Sequence, residues 1–230
     1  MEQATVYVYR NLNDIEQGVR KFLEIIKKQL TTNKVGIKIH FGEEKNTTYI
    51  NPKYLNCVKE FYSDPFYVEC NVLYKGSRTI TTNHIQVAKA HGFTNMPIRI
   101  LDGEDGTDSL HIDINQKNIK EAKLGFGLSE FTDLISFAHF KGHLLTGFGG
   151  AIKNLGMGLG SRTGKLEMHT NSAPIIDANK CSSCGECVNN CDFDAITLDG
   201  TAIIDRKLCS ACARCIAVCP SGAVSVSWGS

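Results

Sequence analysis

Residues 181–191 read CSSCGECVNNC, and residues 209–219 read CSACARCIAVC. Both copies space their thiols as Cys-x2-Cys-x2-Cys-x3-Cys, and the second follows the first at an offset of 28 residues. The repeat extends beyond the thiols. Ile175-Ile176-Asp177 recurs as Ile203-Ile204-Asp205, and Ala195-Ile196-Thr197-Leu198 recurs as Ala223-Val224-Ser225-Val226. Each unit is expected to be a short strand, a cysteine loop, a helical turn and a second short strand, two such units making a small pseudo-two-fold domain. Upstream of Ala173-Pro174 the texture differs, which sets a boundary between residues 1–174 and residues 175–230.

The first part alternates β-rich runs with amphipathic segments. Thr5–Tyr9, Val35–Phe41, Phe66–Val72, Ile98–Leu101 and Leu134–Phe140 read as strands. Asn13 with Glu16 suggests a capping box opening a helix to about Leu30. Asn51-Pro52 starts a second helix to about Tyr62, and a third runs from about Thr82 to His91, ending at Gly92. Leu110–Ile114 and Ile119–Leu124 suggest a hairpin added to the sheet. The predicted fold class is therefore α/β, a mainly parallel sheet layer with helices, followed by a small α+β domain.

The chain has 230 residues, 42% of them hydrophobic, with 25 Lys+Arg against 24 Asp+Glu. That composition is ordinary for a globular protein, and its charge gives no reason to expect nucleic acid or a membrane as partner. No run reaches the roughly 18 apolar residues of a membrane span, and MEQATVYVYR lacks the features of a signal peptide, so the expected location is cytoplasmic. In that compartment clustered thiols point to metal rather than disulfides.

The spacing has a chemical rationale. Three thiolates two residues apart wrap three corners of a 4Fe-4S cube, and the fourth, on the following helical turn, reaches the other cube. The expected ligand sets are Cys181, Cys184, Cys187 and Cys219 for one cluster, and Cys209, Cys212, Cys215 and Cys191 for the second. Paired zinc knuckles are the competing reading, but zinc has no use for this repeated spacing. The remaining thiols, Cys57 and Cys70, read as small buried hydrophobes.

At these residues the tail resembles the bacterial two-cluster ferredoxin. The family's Pro after the fourth cysteine is present as Pro220 but replaced by Asp192 after Cys191, a carboxylate expected to lower the potential of the cluster that Cys191 ligates.

Between Gly142 and Gly164 lie eight glycines in 23 residues, interleaved with Lys153, Arg162 and, just outside, Lys141 and Lys165. Neither a P-loop nor a dinucleotide fingerprint is present. A helix opening near Gly149 is expected to be receptive to anions. Lys38 and His40 fall on one side of a strand near its C-terminal end, where open α/β sheets bind ligands. KIHFGE (38–43), HFKGHLLTGFGGAIKNLGMG (139–158), SRTGKLEMH (161–169) and the module after them resemble the iron-sulfur proteins of the family called domain of unknown function 362. The resemblance implies an α/β domain with an embedded two-cluster module. Family members usually continue past that module, whereas this chain stops at Trp228-Gly-Ser.

His40, His139, His143 and His169 lie in these motifs, open to a metal site or to an anion site built on His40, Lys141 and Lys153. His139 and His40 are the candidate proton donors, with Lys141 and Lys153 as the charge-stabilising partners. His84, His91 and His111 read as surface or capping residues, and the loop from Asp102 to Asp108 as a solvated turn. Three functional readings follow: an electron-transfer protein carrying two 4Fe-4S clusters, a reductase whose α/β domain binds a small anion, and an assembly module braced by clusters. Residues 175–230 carry four basic and six acidic side chains. Eight thiolates would make this module more acidic still, which favours a redox partner with a basic docking face.

Overall fold

The computed structural model describes residues 5–32, 34–143, 147–170 and 174–226. Helix α1, Ile15–Ile26, opens at Asp14, whose carboxylate accepts from the Gln17 N–H at 3.0 Å. The cap thus falls one residue after the expected Asn13. Thr5–Tyr9 form no strand; Val6, Tyr7 and Val8 stand exposed without a sheet partner, and β-propensity without packing does not hold a strand.

Strand β1, Lys34–Lys38, pairs in parallel with β2, Asp64–Glu69, which pairs in parallel with β3, Ile98–Ile100. Between β1 and β2 lie a 3-10 turn, Pro52–Leu55, and a short helix α2, Val58–Phe61. Asn51 caps the turn as its sequence suggests, accepting from Lys53 N–H at 3.0 Å. Helix α3, Thr81–Ala90, connects β2 to β3. The hairpin β4, Ser109–Asp113, with β5, Glu121–Gly125, forms a separate two-stranded sheet rather than extending the parallel one. Strand β6, Asp133–Ser136, returns to pair in parallel with the other side of β1.

The order β3-β2-β1-β6 places β1 centrally. Its Val35 and Ile37 are fully buried with Leu23, Leu55, Tyr67 and Phe93. A central parallel strand is covered on both faces, which is why it reads as a nearly continuous apolar run. Phe41, just beyond it, meets Tyr67, Phe93 and His84 edge-on.

The glycine-rich segment supplies the ribbon β7, Lys141–His143, with β8, Gly147–Gly149, then α4, Ala151–Gly156, and α5, Arg162–Thr170. Its glycines serve close packing. A Cβ on Gly164 would overlap the carbonyl oxygen of Lys123, and one on Gly158 would lie 2.6 Å from Lys38 Nζ.

The cysteine-rich tail pairs β9, Ile175–Ile176, with the last strand, and carries α6, Glu186–Asn189, the hairpin β10, Ile196–Asp199, with β11, Thr201–Ile204, then α7, Arg214–Val218, and β12, Val224–Ser225. The registers Ile196↔Ile204 and Val224↔Ile176 are equivalent under the 28-residue offset. The same offset relates the left-handed residues Ser183 to Ala211, Gly185 to Ala213, and Asp194 to Gly222. The internal repeat is therefore reproduced in backbone torsions. Leu73 and Leu166 pack into the tail's apolar cluster beside Cys215, Ile216 and Cys219. Among the described residues no helix is long and apolar enough to cross a membrane.

Candidate functional site

Two hollows open in the tail. One, with about 310 Å³ of space continuous with solvent, is lined by Cys181, Cys184, Cys187 and Cys219. The other, likewise open to solvent, is lined by Cys191, Cys209, Cys212 and Cys215. Each contains three thiols of one repeat and the fourth of the other, the crossed sets expected from the spacing. Among the described residues no three His, Cys, Asp or Glu side chains are gathered closely enough to hold a metal ion between them. The thiols line the hollows without meeting at a point.

The backbone around them is built to face negative charge. Ser183 and Gly185 in one loop, and Ala211 and Ala213 in the other, take positive φ, and such alternation turns successive N–H groups inward as an anion-receptive nest. Ala211 N–H donates to Cys209 Sγ at 3.4 Å. Burial pushes the Cys215 thiol up to about 12 and raises Cys187 and Cys209. Cys219 is also buried, but the Ser221 hydroxyl and the N–H groups of Val224 and Ala223 bring its thiol below the ordinary range. Four soft thiolates per hollow and inward N–H groups fit an iron-sulfur cluster in donor chemistry.

Asp192, the departure after Cys191, is paired with Arg214, which also donates to Asp105 at 2.6 Å. The carboxylate is thus not alone beside its cysteine. Cys57 and Cys70 are buried in the α/β part as expected, Cys70 donating to the Leu159 carbonyl at 3.3 Å.

A second polar centre lies at the C-terminal ends of the parallel strands. Lys38 ends β1, is fully buried, and donates to Glu69 at 2.6 Å and to Asn154 at 2.8 Å. Asn154 on α4 also donates to Ser136 Oγ at 3.0 Å and so joins the ends of β1 and β6. Glu69 further lies 3.4 Å from His40 Nδ1 and 3.4 Å from Arg78. Burial opposes the Glu69 charge, but Lys38, His40 and Arg78 hold its carboxyl well below the usual range. Arg78, also buried, pairs with Glu43. His40, like Glu43, keeps about a third of its side chain exposed.

The expected trio of His40, Lys141 and Lys153 divides in two. His40 belongs to the Glu69 group, whereas Lys141 and Lys153 approach each other across Gly149. Burial and then Lys141 depress the Lys153 ammonium. His139 is exposed, and the side chains of His143 and His169 lie outside the described residues. The helix expected near Gly149 begins at Ala151.

Two expectations are corrected behind this centre. His84 is fully buried, its Nδ1 3.2 Å from Asn71 Oδ1, and burial keeps the ring far below its ordinary pKa. His91 bonds the Phe41 carbonyl and stacks on Tyr49, while His111 pairs with Glu121. Nor is the loop from Asp102 solvated throughout. Asp102 is fully buried, accepts from Asn71 N–H at 2.9 Å, and is pushed up to about 6 by burial. Arg162, fully buried as well, donates to the carbonyls of Asp105, Val72 and Thr79.

Glu69, Arg78 and Asn154 were not singled out in the sequence, where Arg162 counted only as one cation of the glycine-rich stretch and Asp102 as part of a solvated turn. The one local signal was a charge at the end of an apolar strand, as Glu69 stands in FYVEC.

The sequence model of the family described as Domain of unknown function (DUF362) matches residues 35–215. No curated protein and no solved structure matches the chain.

Proposed function

Since the chain belongs to the DUF362 family, whose description leaves the activity open, we propose from its own residues that it is an iron-sulfur electron-transfer protein binding two 4Fe-4S clusters in a ferredoxin-type tail. The observation that carries this reading is the division of eight thiols between two hollows in the crossed sets, Cys181, Cys184, Cys187 and Cys219 against Cys191, Cys209, Cys212 and Cys215. Four thiols around a hollow suit a cube that offers an iron toward each, more than one central ion. When bound, such clusters supply reversible one-electron chemistry. The protein's part is to supply thiolates, to direct N–H groups at sulfur, and to fix the two sites close together in one apolar cluster. The proposed partner is a redox protein with a basic docking face, and the proposed location is cytoplasmic.

Anaerobically purified protein should contain about eight irons and eight acid-labile sulfides, two cubes' worth, and undergo reversible one-electron reduction by dithionite. Stoichiometric zinc in place of iron would end the proposal. Iron without reversible reduction would leave only a bracing role.

The polar centre at the strand ends favours a second reading, in which the α/β part binds a small anionic substrate and the tail feeds its reduction. Here the partly exposed His40, backed by Glu69, would move the proton, and Lys141 with Lys153, a separate pair of cations, would draw the anion in. His40→Ala and Lys153→Ala should then abolish turnover and leave the cluster spectra unchanged. Unchanged turnover would remove this site.

A further inference from the structure

Resting on the two-cluster reading, we infer that the two sites are electrostatically unequal: Arg162 and Arg214 make the Cys191, Cys209, Cys212 and Cys215 site the higher in potential, so that electrons entering at the Cys181 site settle on the site beside the α/β domain.

The asymmetry begins in the sequence. Arg214 stands immediately before Cys215, and at the equivalent place in the other repeat, 28 residues earlier, Glu186 stands immediately before Cys187. One site therefore has a cation, anchored between Asp105 and Asp192, and the other an exposed anion, on the first turn of its helix. Arg214 is anchored, donating to Asp105 at 2.6 Å and to Asp192. Asp192 is largely exposed, so solvent screens it more than it screens the arginine.

Arg162 adds a second cation from the α/β side. Its guanidinium is completely buried and held by backbone carbonyls, from Asp105 at 2.6 Å and Val72 at 2.9 Å together with Thr79. Carbonyl dipoles fix the charge without cancelling it. The charges that act on it are those of Asp102, of Asp105, which is shared with Arg214, and of the thiolates of Cys212 and Cys215. Leu166, one turn along α5 from Arg162, packs in the same apolar cluster as Cys215. A buried cation in a low-dielectric surround stabilises the added negative charge of a reduced cluster, and net charge and local hydrogen bonding are the protein's means of setting such potentials.

The test is an anaerobic redox titration of the full chain followed by electron paramagnetic resonance, with each signal assigned by Cys209→Ser and Cys181→Ser. Arg214→Gln and Arg162→Gln should each lower the midpoint of the Cys209-sensitive signal at least tenfold in the one-electron equilibrium, about 59 mV. Arg214→Lys should restore it, and Glu186→Gln should raise the Cys181-sensitive signal. Because Arg162 is buried, its Gln variant could fail to fold; Arg214→Gln and Glu186→Gln then decide the matter. If the Cys181-sensitive signal has the higher midpoint in the wild type, or if the arginine variants move neither midpoint, the inference is wrong though the clusters stand. Protein without iron and sulfide takes down the cluster reading itself, an outcome separate from unmoved midpoints.

Discussion

The backbone N–H of Asp177, at the head of the first cysteine unit, donates to the carbonyl of Ala223, in the second unit, at 2.9 Å. The equivalent bond runs the opposite way, from Asp205 to Ala195 at 2.8 Å. Each unit thus closes with backbone from its partner, and the crossing of the thiols follows. On the cluster reading, Cys219→Ser should damage the site of Cys181, Cys184 and Cys187, with the cluster nearer in sequence intact. Iron content together with paramagnetic resonance decides it. Loss of the Cys209 cluster instead would refute crossed ligation.

The left-handed turns of the tail lead to a stability prediction. Ala213 has φ 60°, where its repeat counterpart Gly185 has φ 78°. A Cβ in this region costs about 1–2 kcal/mol, partly offset by the greater chain entropy glycine loses on folding. Ala213→Gly should therefore gain about 0.5–1 kcal/mol by that balance, and Gly185→Ala should lose a similar amount, since its new Cβ meets nothing closer than 3.9 Å. Urea unfolding at matched cluster loading measures both. Two losses would mean that the methyl of Ala213 packs more than its backbone strains.

Glu69 holds together charges contributed by two separate segments. It pairs with Lys38 at 2.6 Å and with His40 and Arg78 at 3.4 Å, and both Lys38 and Arg78 are buried. Glu69→Gln leaves the buried Lys38 without its carboxylate partner, whereas Arg78 keeps Glu43, and breaking a buried pair in this way typically costs about 3–5 kcal/mol. The exposed pair of Arg20 with Glu60 offers the control, because Glu60→Gln should leave the unfolding midpoint nearly unchanged. Equal effects would show that the Glu69 group is hydrated rather than enclosed.

What could be read in the sequence, and what could not, divides by range. The thiol repeat is local, and each unit's loop conformation is dictated within a dozen residues, so the grouping of the thiols about two hollows was legible. Strand β1 announced itself by its apolar run, and Lys38 with His40 by the two-residue period. The partners of Lys38 were not legible: Glu69 is 31 residues away and Asn154 is 116, brought in by strand pairing and by α4. His84 looked like a surface residue because α3 is weakly amphipathic, whereas the core accepts the neutral ring through Asn71 and Phe41. Thr5–Tyr9 failed for the converse reason, having strand-like residues and no partner strand.

Asp102 makes the pH dependence of stability specific. Its folded pKa is pushed up to about 6 by burial, against an ordinary value near 4. Between those values the folded chain keeps a proton that the unfolded chain has released, so this residue's contribution declines as pH rises and is lost above the folded pKa. The slope approaches about 1.4 kcal/mol per pH unit near pH 5 and falls to about half of that at pH 6, where the folded carboxyl is half ionised. His84 acts in the opposite sense, because its folded pKa is depressed and the unfolded chain takes up the proton as pH falls below about 6.5. Wild-type stability alone would therefore mix the two. The difference between Asp102→Asn and wild type isolates the carboxyl: the variant should gain on the wild type by about 1 kcal/mol from pH 5 to pH 6, read as unfolding midpoints converted to free energy. A difference that does not change over that interval would mean that Asp102 is ionised in the folded protein, with the Lys165 and Arg162 charges outweighing its burial.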